Sequence, residues 1–216
     1  MTRSQLLVDL HSRLGASVQD ATGTVDGESG FLVRQHLSSQ GEAGAEAMMP
    51  ALFCLGLGPA LGRGEEATLA PAISLALLAQ MAHVFYDMDA GEGISVAWGM
   101  PRALNAGDAF YVLAQEQLLQ GCAGLSPDIG VEALRTLDGA SRVFSEALQA
   151  STGAGSHGLD QAARSLYPFA GRLAGLTLGL NGAEATEIQR LGVDLGSQEV
   201  SVEEALRRAS ALKSDA

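Results

Sequence analysis

A run of twenty residues without a formal charge, from Ala67 to Tyr86, places the strongest constraint on the fold. A segment of this length can cross a bilayer as a helix. However, acidic residues lie on both sides of it, Glu65 and Asp87 among them, and no excess of Lys or Arg flanks it to set an orientation. A helix that is apolar on every side is also typical of the centre of a helical bundle. We therefore expect a buried central helix and no membrane span.

The rest of the chain also predicts helices and no strand. Leu7, Leu10, Leu14 and Val18 recur at helical spacing in the first segment. Further helices are expected at 31–36, 48–57, 105–119, 127–148 and 159–180, followed by two that begin with the capping residues Asn181 and Ser201. Loops are expected at 20–30, 38–44, 87–95 and 151–158. The inner face of the helix after Pro127 is expected to contain Ile129, Val131, Leu134, Leu137, Val143, Phe144 and Leu148.

Composition limits the class of protein and its partners. A chain of 216 residues is long enough to bury one substantial core, so we expect a single all-helical domain over 1–216, with a helix and loop over about 1–30 leading into it. The net charge of −12 argues against nucleic acid as a partner, because that binding requires clustered cations. Cys54 and Cys122 lie in apolar surroundings and are expected to be free thiols in a cytoplasmic protein.

The segment after the central helix resembles the first aspartate-rich region of the trans-prenyl diphosphate synthases, the polyprenyl synthetase family. Leu77-Leu78, Trp98-Gly99 and the run 105–109 (Asn-Ala-Gly-Asp-Ala) match the frame of that region. The reactive positions differ, because Tyr86, Asp87 and Ala90 stand where the family has its three aspartates. The resemblance therefore implies a degenerate member of the family.

Other matches extend the resemblance from about residue 30 to residue 196, and they show the same losses. Glu46, Ala47 and Met49 stand where the family has the lysine and two arginines that hold a diphosphate. Residues 165–175 resemble a segment whose lysine is replaced near Ala163. Residues 190–196 resemble the approach to the second aspartate motif, but Ser-Gln-Glu-Val follows instead of aspartates. The chain thus resembles a family member that lacks both intact aspartate motifs.

The resemblance implies an all-α, class I isoprenoid-synthase-like bundle that is shortened toward the C-terminus. It also implies that the metal chemistry has been lost, so we assign no catalytic residue, metal ligand or cofactor. Asp87 and Asp89 are interpreted as a remnant of the first motif, and Mg²⁺ would be bound only if these acidic residues still formed a site. In this interpretation Met81, Phe85 and Tyr86 line or plug the prenyl pocket.

Three functions remain open from the sequence. The first is a non-catalytic regulatory or small subunit that pairs with an intact prenyl diphosphate synthase. The second is a divergent enzyme, of the prenyltransferase or terpene synthase type, that acts on a prenyl or terpenoid substrate. The third is a homodimer that binds an apolar isoprenoid. By position in the family, the partner interface is expected around Ala109, Phe110 and Leu113, with Leu118 and Leu119 beside them.

Overall fold

The computed structural model describes residues 3–39, 46–151 and 157–212, and these residues form helices without a strand. Two short 3-10 helices, Glu46–Met48 and Arg164–Leu166, interrupt the series. The eleven α-helices of the described residues are α1 (Arg3–Gly23), α2 (Gly27–Ser39), α3 (Met49–Ala60), α4 (Glu66–Ala90), α5 (Gly93–Trp98), α6 (Met100–Gly121), α7 (Pro127–Ala150), α8 (His157–Ala163), α9 (Tyr167–Leu178), α10 (Gly182–Gly196) and α11 (Val202–Ala211).

Helix α4 lies at the centre of the bundle, in contact with α3, α6, α7 and α9. All twelve residues from Pro71 to Ala82 are buried, which accounts for the absence of a polar face in this part of the sequence. By length and composition α4 is also the one helix in the described residues that is apolar enough to cross a membrane, and 78% of that window is buried inside the bundle.

The buried apolar residues form one cluster that extends from Leu10 in α1 to Ala209 in α11. Glycines allow two of the helix contacts in this cluster to be close. A Cβ atom added at Gly192 in α10 would lie 2.5 Å from the carbonyl oxygen of Tyr167 in α9, and one at Gly171 would lie 2.8 Å from the carbonyl oxygen of Ile188. At Gly56 in α3 it would meet the side chain of Leu206 in α11. These positions keep the C-terminal helices against the core.

Several expected boundaries were wrong in extent. Helix α1 continues to Gly23 and α2 begins at Gly27, so the expected break at 20–30 is reduced to a short turn, which the Arg34 guanidinium closes by donating to the carbonyl oxygen of Val25 at 2.9 Å. The helix expected over 159–180 is divided by the 3-10 turn that precedes Pro168. The expected loops at 38–44 and 151–158 fall largely outside the described residues.

The expected helix starts in the C-terminal half are largely confirmed. Asn181 accepts the backbone N–H groups of Ala183 and Glu184, and the Glu184 carboxylate accepts the N–H of Asn181, which completes a capping box. At the start of α11 the Ser201 hydroxyl accepts the N–H of Glu204. The inner face expected for α7 was partly wrong, because Val131 is 49% exposed. Small residues are buried there instead, namely Gly130, Ala133 and Ala140, together with Thr136, Leu137 and Phe144.

Candidate functional site

Asp87 and Asp89 lie on the last turn of α4, and not in the loop that the sequence predicts. The helix continues to Ala90 and ends at Gly91, whose φ of 67° gives the left-handed conformation that closes many helices. Residues two apart on a helix point in different directions. Asp87 is buried, whereas Asp89 is exposed. The structure therefore separates the two carboxylates that the sequence groups as a remnant of the first aspartate motif.

The segment leading into α5 encloses the Asp87 side chain. The N–H of Glu92 donates to the backbone carbonyl of Asp87 at 2.8 Å, and the Ser95 hydroxyl donates to the carbonyl of Glu92 at 2.7 Å. Gly93 has a φ of 57° and lies so close that an added Cβ would overlap Asp87 Oδ2. Burial, and secondarily the Glu92 carboxylate, raise the pKa of Asp87 to about 6.

Two histidines form a buried contact behind Asp87. The ring of His36 in α2 packs edge-on against His83 in α4, with 5.6 Å between the ring centroids, and against Phe110 at 5.5 Å. Burial, with a smaller effect of His83, lowers the pKa of His36 to about 4. Burial also lowers the pKa of His83, against the opposing effect of Asp160. Both imidazoles are therefore neutral at pH 7.

These protonation states decide the nature of the contact between His83 and Asp87, in which His83 Nε2 lies 3.5 Å from Asp87 Oδ1. Because His83 is neutral, the contact joins a neutral ring to a carboxylate and is not an ion pair at pH 7. His36 is not among the site residues that the sequence predicts, because nothing in the local sequence indicates a contact between histidines on different helices. The result is a polar cluster inside the bundle.

Met81, Phe85 and Tyr86, the residues expected at a prenyl pocket, line one pocket of about 310 Å³ between α4 and α7. Asp89 lies at the same pocket, and Leu148 of α7 forms part of the opposite wall. The Phe85 ring is also pressed against α6, where a Cβ atom added at Gly107 would overlap Phe85 Cε1. The pocket therefore has an aromatic wall whose position depends on a glycine of α6.

A larger cleft lies between the 3-10 helix at Glu46 and the segment from α8 to α11. Its two lobes have volumes of about 320 and 820 Å³ and share Glu46, Asp160, Arg164 and Gln198. Glu203 lines the smaller lobe, so three carboxylates accompany one guanidinium. This balance of charge is unfavourable for a diphosphate.

The arrangement does not fit the magnesium ions of the resemblance. Mg²⁺ takes several oxygen ligands in near-octahedral geometry. Within residues 3–39, 46–151 and 157–212 there is no group of three or more His, Cys, Asp or Glu side chains that could hold a metal ion. Asp87 is enclosed by α5 and Asp89 faces the α4–α7 pocket, so these two carboxylates do not converge.

The interface residues expected on α6 were mostly placed on the wrong side of the helix. Phe110, Leu113 and Leu118 are buried in the core of the single chain, and Ala109 is half-buried. Leu119 alone of the expected set is exposed. The outward face of α6 instead carries Leu104, Val112 and Leu119, which are 46%, 59% and 47% exposed.

Exposed apolar side chains are concentrated in the part of the chain that contains α6. Of the ten large apolar side chains that are exposed in the described residues, seven lie between residues 96 and 131. They are Val96, Met100, Leu104, Val112, Leu119, Leu125 and Val131. Large exposed apolar patches are typical of surfaces that bind a partner.

The fold is similar to that of several solved prenyl synthetases. A geranylgeranyl pyrophosphate synthetase from Geoglobus acetivorans superposes with a TM-score of 0.72 at 16% identity, over 88% of this chain. One from Pyrococcus horikoshii gives 0.70 at 17% identity over 89%, and a polyprenyl synthetase from Streptomyces coelicolor gives 0.70 at 16% over 90%. No family model matches the sequence, and neither does any curated protein.

The similarity is one of fold. The chain spans less than two thirds of the length of these synthetases, with 65%, 63% and 63% of them covered, in agreement with a shorter bundle. The order of helices, the buried central helix and the all-α architecture agree with the expectation drawn from the weak motifs. The chain therefore has the fold of the trans-prenyl diphosphate synthases.

Proposed function

We propose that this chain is a non-catalytic relative of the prenyl diphosphate synthases, and that it acts as a subunit bound to an intact synthase. The observation that carries the proposal is the divergence of Asp87 and Asp89 at the end of α4, where one carboxylate is enclosed and the other is exposed. Prenyl transfer of the family type needs metal ions that neutralise a leaving diphosphate. Losing such partners lowers a rate by orders of magnitude.

The charge of the large cleft supports the same proposal. Glu46 occupies the position at which the resemblance places a diphosphate-binding lysine, and Asp160 and Glu203 add two further carboxylates around Arg164. A diphosphate entering this cleft meets net repulsion, which only additional cations would offset. The cleft is therefore unsuited to the substrates of the family.

The outward face of α6 supports the proposed role as a subunit. Leu104, Val112 and Leu119 give it an apolar stripe that no other part of the described chain covers. A helical partner that covered this stripe would remove a substantial apolar area from water. We infer that the partner is an intact synthase of the same fold, bound through this face.

A second candidate function rests on the α4–α7 pocket. Met81, Phe85 and Tyr86 give it an apolar and aromatic lining at a volume of about 310 Å³. Pockets of this kind bind small apolar ligands. The candidate is a protein that binds an isoprenoid without converting it.

Catalysis is tested with the purified chain, isopentenyl diphosphate, an allylic diphosphate and Mg²⁺. We expect no elongated prenyl product. Turnover that disappears in the Asp87→Ala variant would show that the carboxylate still works in a metal site, and it would refute the non-catalytic assignment.

Partner binding is tested by co-expression with each prenyl diphosphate synthase of the same genome, followed by co-purification and analysis of product chain length. Val112→Asp should abolish co-purification, whereas Val8→Asp, a matched change at a residue of similar exposure on α1, should not. If no synthase co-purifies, or if both variants behave alike, the subunit proposal fails. Binding of a radiolabelled prenyl alcohol, reduced by Phe85→Ala, would then support the second candidate.

A further inference from the structure

The outward face of α6 carries two carboxylates within its apolar stripe. Asp108 and Glu116 are both exposed, and each lies four residues from Val112, one before it and one after it. Residues four apart occupy the same side of a helix, so both carboxylates flank Val112 on the face that also carries Leu104 and Leu119. Any partner that covers this stripe must therefore also cover two negative charges.

We propose that this face selects a partner helix with two cations opposite Asp108 and Glu116, and that it rejects a second copy of this chain. The proposal rests on the proposed pairing through α6 and adds the chemistry of the partner. The proposal follows from the positions of Asp108 and Glu116, which lie at equal distances on either side of Val112.

Self-pairing through this face brings like charges together. A two-fold axis perpendicular to α6 makes the two copies antiparallel, and each residue on one side of the axis then meets the residue that lies equally far on the other side in the second copy. The apolar stripe is best matched with the axis at Val112, because Leu104 of one copy then lies beside Leu119 of the other. The same alignment places Asp108 opposite Glu116, twice by symmetry. A homodimer that aligns the two apolar stripes therefore also brings the two carboxylates together.

Cations on the neighbouring elements do not relieve this repulsion, because they already have partners. On α7, Arg135 lies 3.9 Å from Glu132 and Arg142 lies 3.1 Å from Glu146. Arg102, near the start of α6, pairs with Glu28 of α2 at 2.8 Å.

The Glu116 carboxylate accepts only an amide hydrogen bond from Gln120 among the contacts of the described residues, at 3.4 Å. Asp108 is exposed as well, so both carboxylates are available to cations of a partner.

The partner that fits is a helix with an apolar stripe of the same spacing and Lys or Arg at the two flanking positions. Opposite charges across an interface accelerate association, and like charges suppress the wrong partner. The net charge of −12 acts in the same direction, since it repels a second copy at long range. The chain is consequently selective for a heteromer.

The test uses a charge-reversed copy as a defined surrogate for the basic partner. The double variant Asp108→Lys/Glu116→Lys keeps the apolar stripe and carries the two cations. Sedimentation equilibrium at 50 mM salt should show that wild type and double variant each self-associate weakly, and that their mixture pairs at least about tenfold more tightly than either alone. The single variant Asp108→Lys should form a homodimer, because the introduced ammonium group then faces Glu116 of the other copy.

Two controls separate position from total charge. A double variant in α1 and the turn that follows it, Asp20→Lys/Asp26→Lys, changes the net charge equally and should not pair with wild type. High salt should weaken the mixed pair and relieve the repulsion in the wild-type homodimer. All substituted residues are exposed, so each variant should fold, and circular dichroism is the check.

The inference is overturned if wild type alone forms a dimer as tight as the mixture, or if the mixture shows no complex. It is also overturned if the α1 variant pairs equally well. These outcomes are independent of synthase binding. If the mixture pairs but no synthase binds the chain, the proposed function is refuted and the selection by Asp108 and Glu116 stands. If a synthase binds the chain but the mixture does not pair, the proposed function stands and the selection by charge is refuted.

Discussion

The close contact between α9 and α10 predicts opposite effects for one substitution at two glycines. Alanine at Gly192 would place its Cβ 2.5 Å from the carbonyl oxygen of Tyr167, 2.9 Å from the carbonyl carbon of that residue and 3.0 Å from Pro168 Cα. These atoms belong to the backbone, so no side-chain rotation relieves the overlap. The two helices must separate by roughly 1 Å to restore an ordinary contact, and overpacking of this kind costs about 1–3 kcal/mol.

Gly15 provides the matched control. It lies inside α1, and a Cβ atom added there meets nothing within 4 Å. Alanine in a helix interior is favoured over glycine by about 0.5–1 kcal/mol, so Gly15→Ala should stabilise the protein by that amount. In Gly192→Ala the same gain is opposed by the overlap, and we expect a net loss of up to about 2.5 kcal/mol.

Urea and thermal unfolding followed by circular dichroism measure both effects. For a chain of this length, 1 kcal/mol corresponds to roughly 2–4 °C in Tm, so an overlap cost of about 1–3 kcal/mol should separate the two variants by about 2–12 °C. Gly171→Ala should resemble Gly192→Ala, because its Cβ would lie 2.8 Å from the carbonyl oxygen of Ile188. The double variant should lose less than the sum, since one separation of the helices accommodates both methyl groups. A Gly192→Ala variant as stable as Gly15→Ala would refute this account of the contact.

Three further predictions concern titratable groups and metal. Stability should fall as the pH is lowered from 6.5 toward 4, because burial lowers the pKa of His36 and the unfolded chain then binds the proton more tightly. Asp87→Asn should steepen that fall, because the raised pKa of Asp87 makes the folded state bind a proton more tightly and so adds stability as the pH drops through about 6. Urea unfolding at each pH gives the dependence of stability on pH, and an equal dependence in wild type and Asp87→Asn would contradict this. Burial raises the thiol pKa of Cys54 and Cys122, so a thiol reagent should modify neither until urea unfolds the chain, and rapid labelling of the native protein would be contrary evidence. Millimolar Mg²⁺ should leave Tm unchanged, whereas a rise that vanishes in Asp87→Ala/Asp89→Ala would reveal a metal site.

The sequence predicted correctly those features that depend on residues within one helix. The uncharged run from Ala67 to Tyr86 predicted a buried central helix, and α4 is buried continuously from Pro71 to Ala82. The capping box at Asn181 was likewise readable, because its contacts span only three residues. These features depend on local spacing, which a sequence states directly.

The sequence was misleading where the direction of a side chain depends on a neighbouring helix. The acidic, glycine-rich segment after Asp87 predicted a loop, but α4 continues until Gly91 ends it. Phe110 and Leu113 were assigned to an interface by their position in the family, yet they face the core. On α7 the expected inner face consisted of large apolar residues, but Ala133 and Ala140 are also buried, where helices approach closely.

The contact between Phe85 and Gly107 has a consequence for how the α4–α7 pocket can vary. Gly107 lies on α6 and does not line the pocket, but the Phe85 ring occupies the space above it. A larger residue at position 107 would push the ring outward into the pocket, and a smaller one does not exist. The present capacity of the pocket is therefore an upper limit with respect to position 107, and the volume of the pocket depends on a residue that does not line it.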